Sequence, residues 1–360
     1  MKTVKRALPV LLAVLLILQT TPAAAAADST AAAAARCASY LLSAVDAPQV
    51  GSVGGDWTVI ALARGNAEVP QEYWERYFAA VKEYTAACGG VLHQRKYTEY
   101  SRVSLALTAI GADPADVGGY DLLAPLGDYE KTTWQGINGA IWALIALDSG
   151  GYDVPAAPEG KTQATRQRYV EAILARQLTD GGWNMTGAGD ADPDLTAMAL
   201  QALAGYRQQP AVQDAVDRAV ECLSKLQNGS GGYATQGVVT AESTAQVIQA
   251  LCSLGISLND PRFIKGGSSL LDDLLSYQQA DGSFRHTAGG SGSSLMATEQ
   301  ALCALDAALR AETGEAGLYQ MTDTKIAVGR TPLTSEALWQ RIAYSGCVLA
   351  RSVVLAAAVR

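Results

Sequence analysis

Two kinds of helical pattern alternate along most of the chain. In the first kind, apolar residues recur at 3.6-residue spacing opposite a charged face, as in residues 35–45, 71–88, 163–176 and 211–226, with a short example near 115–123. In the second kind, alanine and larger apolar residues surround the helix, as in residues 56–64, 97–110, 137–148, 194–203, 242–251 and 296–305. A helix that is apolar on nearly all sides packs against neighbours on most of them. The pattern therefore predicts outer helices that alternate with buried inner helices.

A sequence repeat joins each outer helix to the following inner helix. Three segments share a glutamine, a glycine four positions later and an aromatic residue two positions further on: Gln177-Leu-Thr-Asp-Gly-Gly-Trp183, Gln227-Asn-Gly-Ser-Gly-Gly-Tyr233 and Gln278-Gln-Ala-Asp-Gly-Ser-Phe284. Their period of 50 to 51 residues suits a hairpin of two helices. The aromatic residue of each segment is expected to plug its hairpin. Six such hairpins can close a ring, so the sequence predicts an all-α fold, an (α/α)6 toroid of six inner and six outer helices over residues 28–325.

The two ends of the chain lie outside the repeats. Residues 1–6 carry three positive charges, residues 7–18 are apolar and residues 20–27 are small, which is typical of a secretory signal peptide over residues 1–27. We therefore expect a secreted or cell-surface protein, most simply a monomer. Residues 326–360 form a non-repeating tail, whose apolar stretch is interrupted by Arg351. That interruption favours a packed helix or a disordered end over a membrane anchor.

The charge of the chain excludes one class of partner. The chain has a net charge of -8, which becomes about -11 without the signal peptide, and it has no cluster of lysine and arginine. Nucleic acid is therefore not an expected partner, because its binding depends on phosphate neutralisation.

Cys222, Cys252 and Cys303 lie in helical patterns and are read as small buried residues. Cys37 with Cys88 is the pair that could form a disulfide.

The glutamine–glycine–aromatic segments resemble the repeat of squalene cyclases and, more loosely, of protein prenyltransferase β-subunits. The stretch Asp194-Leu-Thr-Ala-Met-Ala-Leu200 also looks like an inner helix of the cobalamin carriers, intrinsic factor and transcobalamin. Upstream, the chain is similar to exported bacterial toroid proteins at Gly54-Gly-Asp-Trp57, Tyr97-Thr-Glu-Tyr-Ser-Arg102 and Trp134-Gln-Gly-Ile-Asn-Gly139. The resemblance implies the toroid over about residues 36–325. It does not fix the function, because one fold hosts many activities.

Prenyltransferases of this superfamily hold a catalytic zinc with Asp, Cys and His ligands. The histidines of this chain, His93 and His286, have no cysteine or aspartate in that arrangement, so no zinc site is expected and no residue is assigned as a metal ligand. His93, between Leu92 and Gln94, is read as a turn residue.

The first turns of the inner helices should line the entrance to a central cavity. Polar and aromatic residues there are candidates for ligand binding, because aromatic walls with a few polar groups suit a medium-sized ligand. The candidates are Asp56, Trp57, Tyr97, Glu99, Tyr100, Arg102, Trp134, Gln135, Asn138, Asp194, Thr196, Glu242, Thr244 and Thr298, and Glu299 has a comparable first-turn position. By resemblance to the cobalamin carriers, the ligand could be a corrinoid.

The segment Asp190-Ala-Asp-Pro-Asp194 is the sharpest candidate for catalysis. The cyclases that it resembles protonate an alkene with an Asp-x-Asp-Asp element, in which neighbouring groups keep one acid protonated. Here Pro193 stands where that element has its third aspartate. Two readings of Asp190, Asp192 and Asp194 other than acid catalysis stay open: a calcium site, and a cap on the inner helix by Asp194. Separately, two of Asp56, Glu99, Asp194 and Glu242 could form the pair of carboxylates that cleaves a glycoside.

Two hypotheses about function follow from these observations. The first is a non-catalytic binding protein that holds a small molecule, or a partner at the cell surface, in or around its central cavity. The alternative is an enzyme like the terpene cyclases and prenyltransferases that uses the segment from Asp190 to Asp194. The incomplete acid motif and the predicted export favour the first hypothesis.

Overall fold

The computed structural model describes residues 22–329, with side chains from residue 29 onward. Within them the chain forms twelve α-helices. They are α1 (Pro22–Ala44), α2 (Trp57–Arg64), α3 (Gln71–Ala87), α4 (Thr98–Ala109), α5 (Tyr129–Thr132), α6 (Ile137–Ser149), α7 (Arg166–Leu174), α8 (Pro193–Leu203), α9 (Pro210–Leu226), α10 (Ala241–Leu254), α11 (Leu270–Ser276) and α12 (Leu295–Thr313). One short hairpin joins β1 (Ala234–Thr235) to β2 (Val238–Val239).

The even-numbered helices form a closed inner ring. Each of α2, α4, α6, α8, α10 and α12 contacts the next, and α12 contacts α2. Outer helices α1, α7, α9 and α11 pack against α12, α6, α8 and α10. The first turns of neighbouring inner helices meet, as where Thr58 donates a hydrogen bond to Glu299. The inner helices are therefore parallel, and we call the end where they begin the mouth. The predicted all-α toroid is confirmed.

The repeated glutamines join each hairpin to the next. The side-chain amide of Gln227 donates to the carbonyl of Gly231 in its own turn and to that of Phe263 in the next unit, both at 2.9 Å. Gln177 makes the same pair of bonds to Gly181 and Ala215, at 2.7 Å each. Because backbone carbonyls buried without a donor are costly, the amide stabilises both units at once.

The third glutamine closes the ring. Gln278 donates to the carbonyl of Ala33 in α1 at 2.9 Å and to that of Gly282 at 3.4 Å. The turn lies so close to α1 that a Cβ on Gly282 would stand 2.3 Å from the carbonyl oxygen of Arg36, and its φ is +93°. The last repeat thus contacts the first helix as the middle repeats contact their successors.

The aromatic residues of the repeat are buried, as expected. Trp183, Tyr233 and Phe284 have no exposed surface. The indole of Trp183 donates to the carbonyl of Ile173 at 2.8 Å, and the hydroxyl of Tyr233 donates to that of Leu223 at 2.9 Å. These bonds fix each turn to the end of its own outer helix.

The predicted outer helix near residues 115–123 is wrong. This segment turns back on itself through a bridge between Val117 and Tyr120. Gly118 and Gly119 have φ angles of +63° and +90°, which an α-helix does not allow. The third outer helix is instead the short α5, which lies between this turn and α6.

Cys37 and Cys88 are both free thiols, so the considered disulfide is absent from the part of the chain that the structure describes. Cys37 is buried and donates to the carbonyl of Thr298, in α12. Cys222 and Cys303 are buried as expected, whereas Cys252 is half-buried. None of the described helices is long and apolar enough to cross a membrane. Residues 1–21 of the predicted signal peptide and residues 330–360 of the tail lie outside the described residues.

Candidate active site

A cluster of polar groups lies where α8 and α10 begin. We call it the aspartate cluster; it contains Asp192, Asp194, Thr235, Glu242 and Ser243. Asp192 accepts hydrogen bonds from the backbone N–H of Leu195 at 2.9 Å and from the Thr235 hydroxyl at 3.1 Å. The Ser243 hydroxyl lies 3.4 Å from that of Thr235. The β1–β2 hairpin therefore connects the two helix starts.

The cap of α8 is Asp192, so the interpretation of Asp194 as the cap is wrong. Proline is favoured at the first position of a helix, so α8 begins at Pro193 and the preceding aspartate becomes the cap. Asp194 is freed from that role. Asp190, the remaining aspartate of the segment, is exposed and lies apart from the cluster.

Asp194 is the aspartate of this segment whose surroundings favour a bound proton. Burial raises the pKa of its carboxyl to about 6; the charges of Asp192 and Glu242 act in the same direction, against the hydroxyls of Ser243 and Thr235. Its Oδ1 is buried without a hydrogen-bond partner. Protonated carboxyls persist where the ionised form is poorly solvated. Asp194 therefore keeps a proton at mildly acidic pH.

Glu242 and His286 extend the cluster towards α12. The carboxylate of Glu242 is buried, and its two oxygens lie 3.0 and 2.9 Å from Nδ1 of His286. His286 itself is half-exposed and comes from the loop before α12. A histidine beside a carboxylate can carry a proton between the solvent and a buried site.

A second cluster lies across α2, α3 and α4. We call it the arginine cluster; it contains Asp56, Tyr77, Glu99 and Arg102. Asp56 has no exposed surface, and its carboxylate accepts from Nε of Arg102 at 2.7 Å and from the Tyr77 hydroxyl at 2.6 Å. Glu99 pairs with the same guanidinium. Although burial raises the pKa of Asp56, Arg102 and Tyr77 oppose that shift.

Glu299, in the first turns of α12, is another carboxyl near the mouth that favours a proton. One oxygen accepts from the N–H of Gly54 at 2.9 Å and from the Thr58 hydroxyl. The other oxygen is buried without a partner. Burial raises the pKa of Glu299 to about 7, and the charge of Asp56 adds to that effect.

Aromatic and apolar side chains surround the mouth. Trp57 packs edge-on against Trp142 with ring centroids 5.2 Å apart, and Tyr97 packs in the same way on Tyr100. The large apolar residues exposed in the loops before inner helices, or in the first turn of one, are Val53, Val91, Trp134, Met185, Val238 and Met296. An apolar rim of this kind favours an apolar ligand over a strongly hydrated one.

Several candidates for ligand binding have structural contacts instead. The Thr196 and Thr298 hydroxyls accept the backbone N–H groups of Trp183 and Phe284, each at 2.9 Å, and Thr244 donates to Asp273 at 2.8 Å. All three threonines have no exposed surface. Thr196 and Thr298 therefore hold repeat turns against inner helices, and Thr244 joins α10 to α11.

The remaining candidates lie at or near the mouth. Gln135 accepts from the backbone N–H and the hydroxyl of Thr98, which ties the starts of α4 and α6 together. Asn138 is half-buried, whereas Tyr100 is almost completely buried. The guanidinium of Arg95 lies 5.6 Å from the ring centroid of the exposed Trp134.

The centre of the ring is nearly filled. A cavity of about 10 Å³ lies among Trp57, Gln246, Gln249, Glu299, Gln300, Cys303 and Tyr319. A cavity of this size holds about one water molecule, whereas ligand pockets measure roughly 300–1,000 Å³. A larger ligand at the mouth can reach the centre only if a side chain moves.

The sequence places Glu299 at the mouth, but its pattern, which is that of any buried helix, gives it no particular role. Two functional groups were not selected from the sequence. Thr235 and Ser243 join the aspartate cluster only because a hairpin that was not predicted brings them there. Gln236 and Gly237 form the turn of that hairpin, with φ angles of +52° and +80°. A glycine at this place in a two-residue turn is the sequence feature that could have predicted the hairpin.

Comparison with known proteins gives a short sequence match and a longer structural one. No family model matches the chain. Over 114 residues the chain is 32% identical to drimenyl diphosphate synthase of Streptomyces showdoensis, a match that covers 30% of this chain and 20% of that protein. The chain thus matches only a fifth of this curated relative.

Solved structures of the same fold cover most of the chain. The type II terpene cyclase MstE of Scytonema has a TM-score of 0.53 at 17% identity, over 79% of this chain and 99% of that one. Candida albicans protein geranylgeranyltransferase-I has a TM-score of 0.52 at 13% identity, over 75% of this chain and 87% of that one. Unsaturated glucuronyl hydrolase of Bacillus sp. GL1 has a TM-score of 0.53 at 14% identity, over 82% of this chain and 100% of that one. The fold is therefore the toroid of the terpenoid cyclases and protein prenyltransferases, which hydrolases also share.

Proposed function

We propose that this protein is a cyclase-type enzyme that protonates an isoprenoid chain at the mouth of the ring, with Asp194 as the general acid. The observation that carries the proposal is the half-buried carboxyl of Asp194, which has one buried oxygen without a partner and a pKa raised to about 6. The likeness to a terpene cyclase and the short match to a diphosphate synthase support the same class. They favour this alternative over the non-catalytic binding hypothesis.

The groups of the mouth suit each step of such a reaction. The proton of Asp194 would add to one carbon of an alkene, and the next double bond would attack the cation that forms. Aromatic faces such as those of Trp57 and Trp134 stabilise a cation nearby. Loss of a proton from the cyclised cation ends the reaction, so the product is an isomer of the substrate. Glu242 and His286 could return a proton to Asp194 from solvent.

The apolar rim supports an isoprenoid substrate. Six large apolar residues are exposed in the loops before inner helices or in the first turn of one, where a carbon chain would enter. The substrate class is therefore a prenyl chain; its length and head group are left to experiment. Export remains a prediction from residues 1–27.

The first prediction concerns Asp194. Purified protein would be incubated with farnesyl diphosphate, geranylgeranyl diphosphate or squalene, and cyclised isomers measured by gas chromatography and mass spectrometry. Asp194→Asn should lower turnover at least about 100-fold, because an amide cannot donate the proton. Asp190→Asn is the matched control, since Asp190 is exposed in the same segment, and it should leave turnover unchanged.

The pH profile separates acid catalysis from a structural effect. Because the active form of Asp194 is protonated, kcat/KM should fall about tenfold per pH unit above a pKa of about 6. Undiminished turnover in Asp194→Asn would contradict the role of this residue. If no substrate is cyclised but a corrinoid changes its visible spectrum on mixing, the binding hypothesis replaces the enzyme.

A further inference from the structure

A second, larger cavity lies at the end of the ring opposite the mouth. It measures about 350 Å³ and is bordered by the carboxyl ends of inner helices, including Ile145, Gln201 and Cys252. The small central cavity beneath the mouth is bordered by Trp57, Glu299 and Cys303. Among the described residues, Tyr319 is the one side chain that borders both cavities.

Tyr319 reaches this place from a segment that follows α12. Its ring lies edge-on to that of Trp142 with centroids 6.0 Å apart, and its hydroxyl donates to Oε1 of Gln249 at 3.2 Å. These contacts hold the ring across the axis of the toroid. The side chain therefore lies between the two cavities.

The segment that carries Tyr319 is fastened to the ring by Arg64. We call residues 314–329 the return segment. The buried guanidinium of Arg64 donates to the carbonyls of Leu318 at 2.8 Å and Gly317 at 3.1 Å, and pairs with Asp323 at 2.7 Å. Further on, Val328 donates to the carbonyl of Ile110 at 3.2 Å. The return segment thus has fixed contacts on both sides of Tyr319.

We propose that Tyr319 is the barrier of a channel that runs through the ring, and that it limits how long a prenyl chain the mouth accepts. This role in substrate selection rests on the proposed function, but the barrier itself does not. With Tyr319 in place, a chain entering at the mouth meets about 10 Å³ of free space. Without its ring, the same chain reaches a cavity of about 350 Å³.

The barrier is tested with the cysteines of the protein. Cys303 borders the central cavity and Cys252 the larger one, so methyl methanethiosulfonate should modify Cys252 but barely reach Cys303. In Tyr319→Ala, modification of Cys303 should become at least tenfold faster, while that of Cys252 stays the same. Peptide mass spectrometry measures each rate separately. Tyr319→Phe keeps the ring and should behave like the unchanged protein.

Cys37 is the control that reports a loosened structure. It is buried against α12 and borders neither cavity, so it should stay protected in every variant. If Cys37 also becomes reactive in Tyr319→Ala, the smaller truncation Tyr319→Leu replaces it in the same measurement. An unchanged rate at Cys303 in a folded Tyr319→Ala or Tyr319→Leu protein would overturn the barrier.

Selection by chain length is tested by binding, independently of turnover. Tryptophan fluorescence would follow titration with prenyl alcohols of 10, 15, 20 and 30 carbons, since Trp57 and Trp142 lie beside the channel. For Tyr319→Ala, each added isoprene unit beyond the barrier should tighten binding at least about tenfold, because more apolar surface is buried. For the unchanged protein and Tyr319→Phe, affinity should stop rising.

The outcomes separate the two proposals. The same length dependence in Tyr319→Ala and in the unchanged protein overturns selection by Tyr319 and leaves the proposed function intact. If no prenyl alcohol binds while Cys303 becomes reactive in Tyr319→Ala, the barrier stands and the isoprenoid function fails.

Discussion

Buried carboxyls in this protein differ in the partners that surround them. Asp56 is compensated by Arg102 and Tyr77, whereas Asp194 and Glu299 each keep one buried oxygen without a partner. A carboxylate buried without compensation binds a proton more readily. The sequence identified all three as first-turn residues, but it could not rank them. The ranking depends on hydroxyls and guanidinium groups that come from distant parts of the chain.

The second prediction is that Glu299 makes stability depend on pH. Its pKa is about 7 in the folded protein against 4.5 as the ordinary value, so the unfolded chain loses this proton first as pH rises. Stability from this residue is therefore full below pH 4.5 and falls as pH rises to about 7. Glu299→Gln should keep the hydrogen bonds from Gly54 and Thr58 and remove the loss of stability at higher pH. At pH 8 the variant should be more stable by on the order of 3 kcal/mol.

Urea unfolding at pH 4 and pH 8 measures this difference. At pH 4 the variant and the unchanged protein should be equally stable, because the carboxyl is then neutral in both states. Glu312→Gln, at an exposed position of the same helix, is the control and should have no effect at either pH. A Glu299→Gln protein that is less stable at pH 8 would contradict the assignment.

At the scale of elements, the hydrophobic pattern predicted all six inner helices to within a few residues at their starts. It succeeded because a helix buried on most sides is apolar on most sides, whatever its neighbours are. It failed near residues 115–123, where Gly118 and Gly119 turn the chain. It also missed the β1–β2 hairpin, since two-residue strands carry no measurable period.

The third prediction concerns the joint between hairpins. Gln227→Ala should lower the free energy of unfolding by about 2–4 kcal/mol, because the carbonyls of Gly231 and Phe263 both lose their donor. Urea denaturation measures the change. Gln208→Ala, at an exposed position between α8 and α9, is the control and should stay within about 0.5 kcal/mol of the unchanged protein. Equal stability of the two variants would contradict the role of Gln227.

At the scale of the whole molecule, closure of the ring could be inferred from the number of hairpins and from the resemblance. The contents of its centre could not, because Tyr319 comes from outside the repeats and meets the ring only in three dimensions. The activity could not be inferred from the sequence either. One toroid serves terpene cyclases, prenyltransferases and a glucuronyl hydrolase, so the choice depends on side chains at the mouth.

The fourth prediction tests the closing joint. Gly282→Ala places a Cβ 2.3 Å from the carbonyl oxygen of Arg36 at a φ of +93°, so the turn must move away from α1. Hydrogen exchange should accelerate in α1 and α12 before it does in α6. In Gly289→Ala, the added methyl group meets no atom within 4 Å, and exchange should be unchanged. Acceleration spread equally over all helices would argue against a separate closing joint.

Closure between α12 and α1 has a consequence for the order of folding during synthesis. Cys37 and its partner Thr298 are separated by 261 residues, so the surface of α1 that meets α12 has no cover until α12 has left the ribosome. Contacts between such distant positions form slowly, because a long loop must close first. In a nascent chain that surface would stay available to chaperones, and the ring would be completed last at the residues made first.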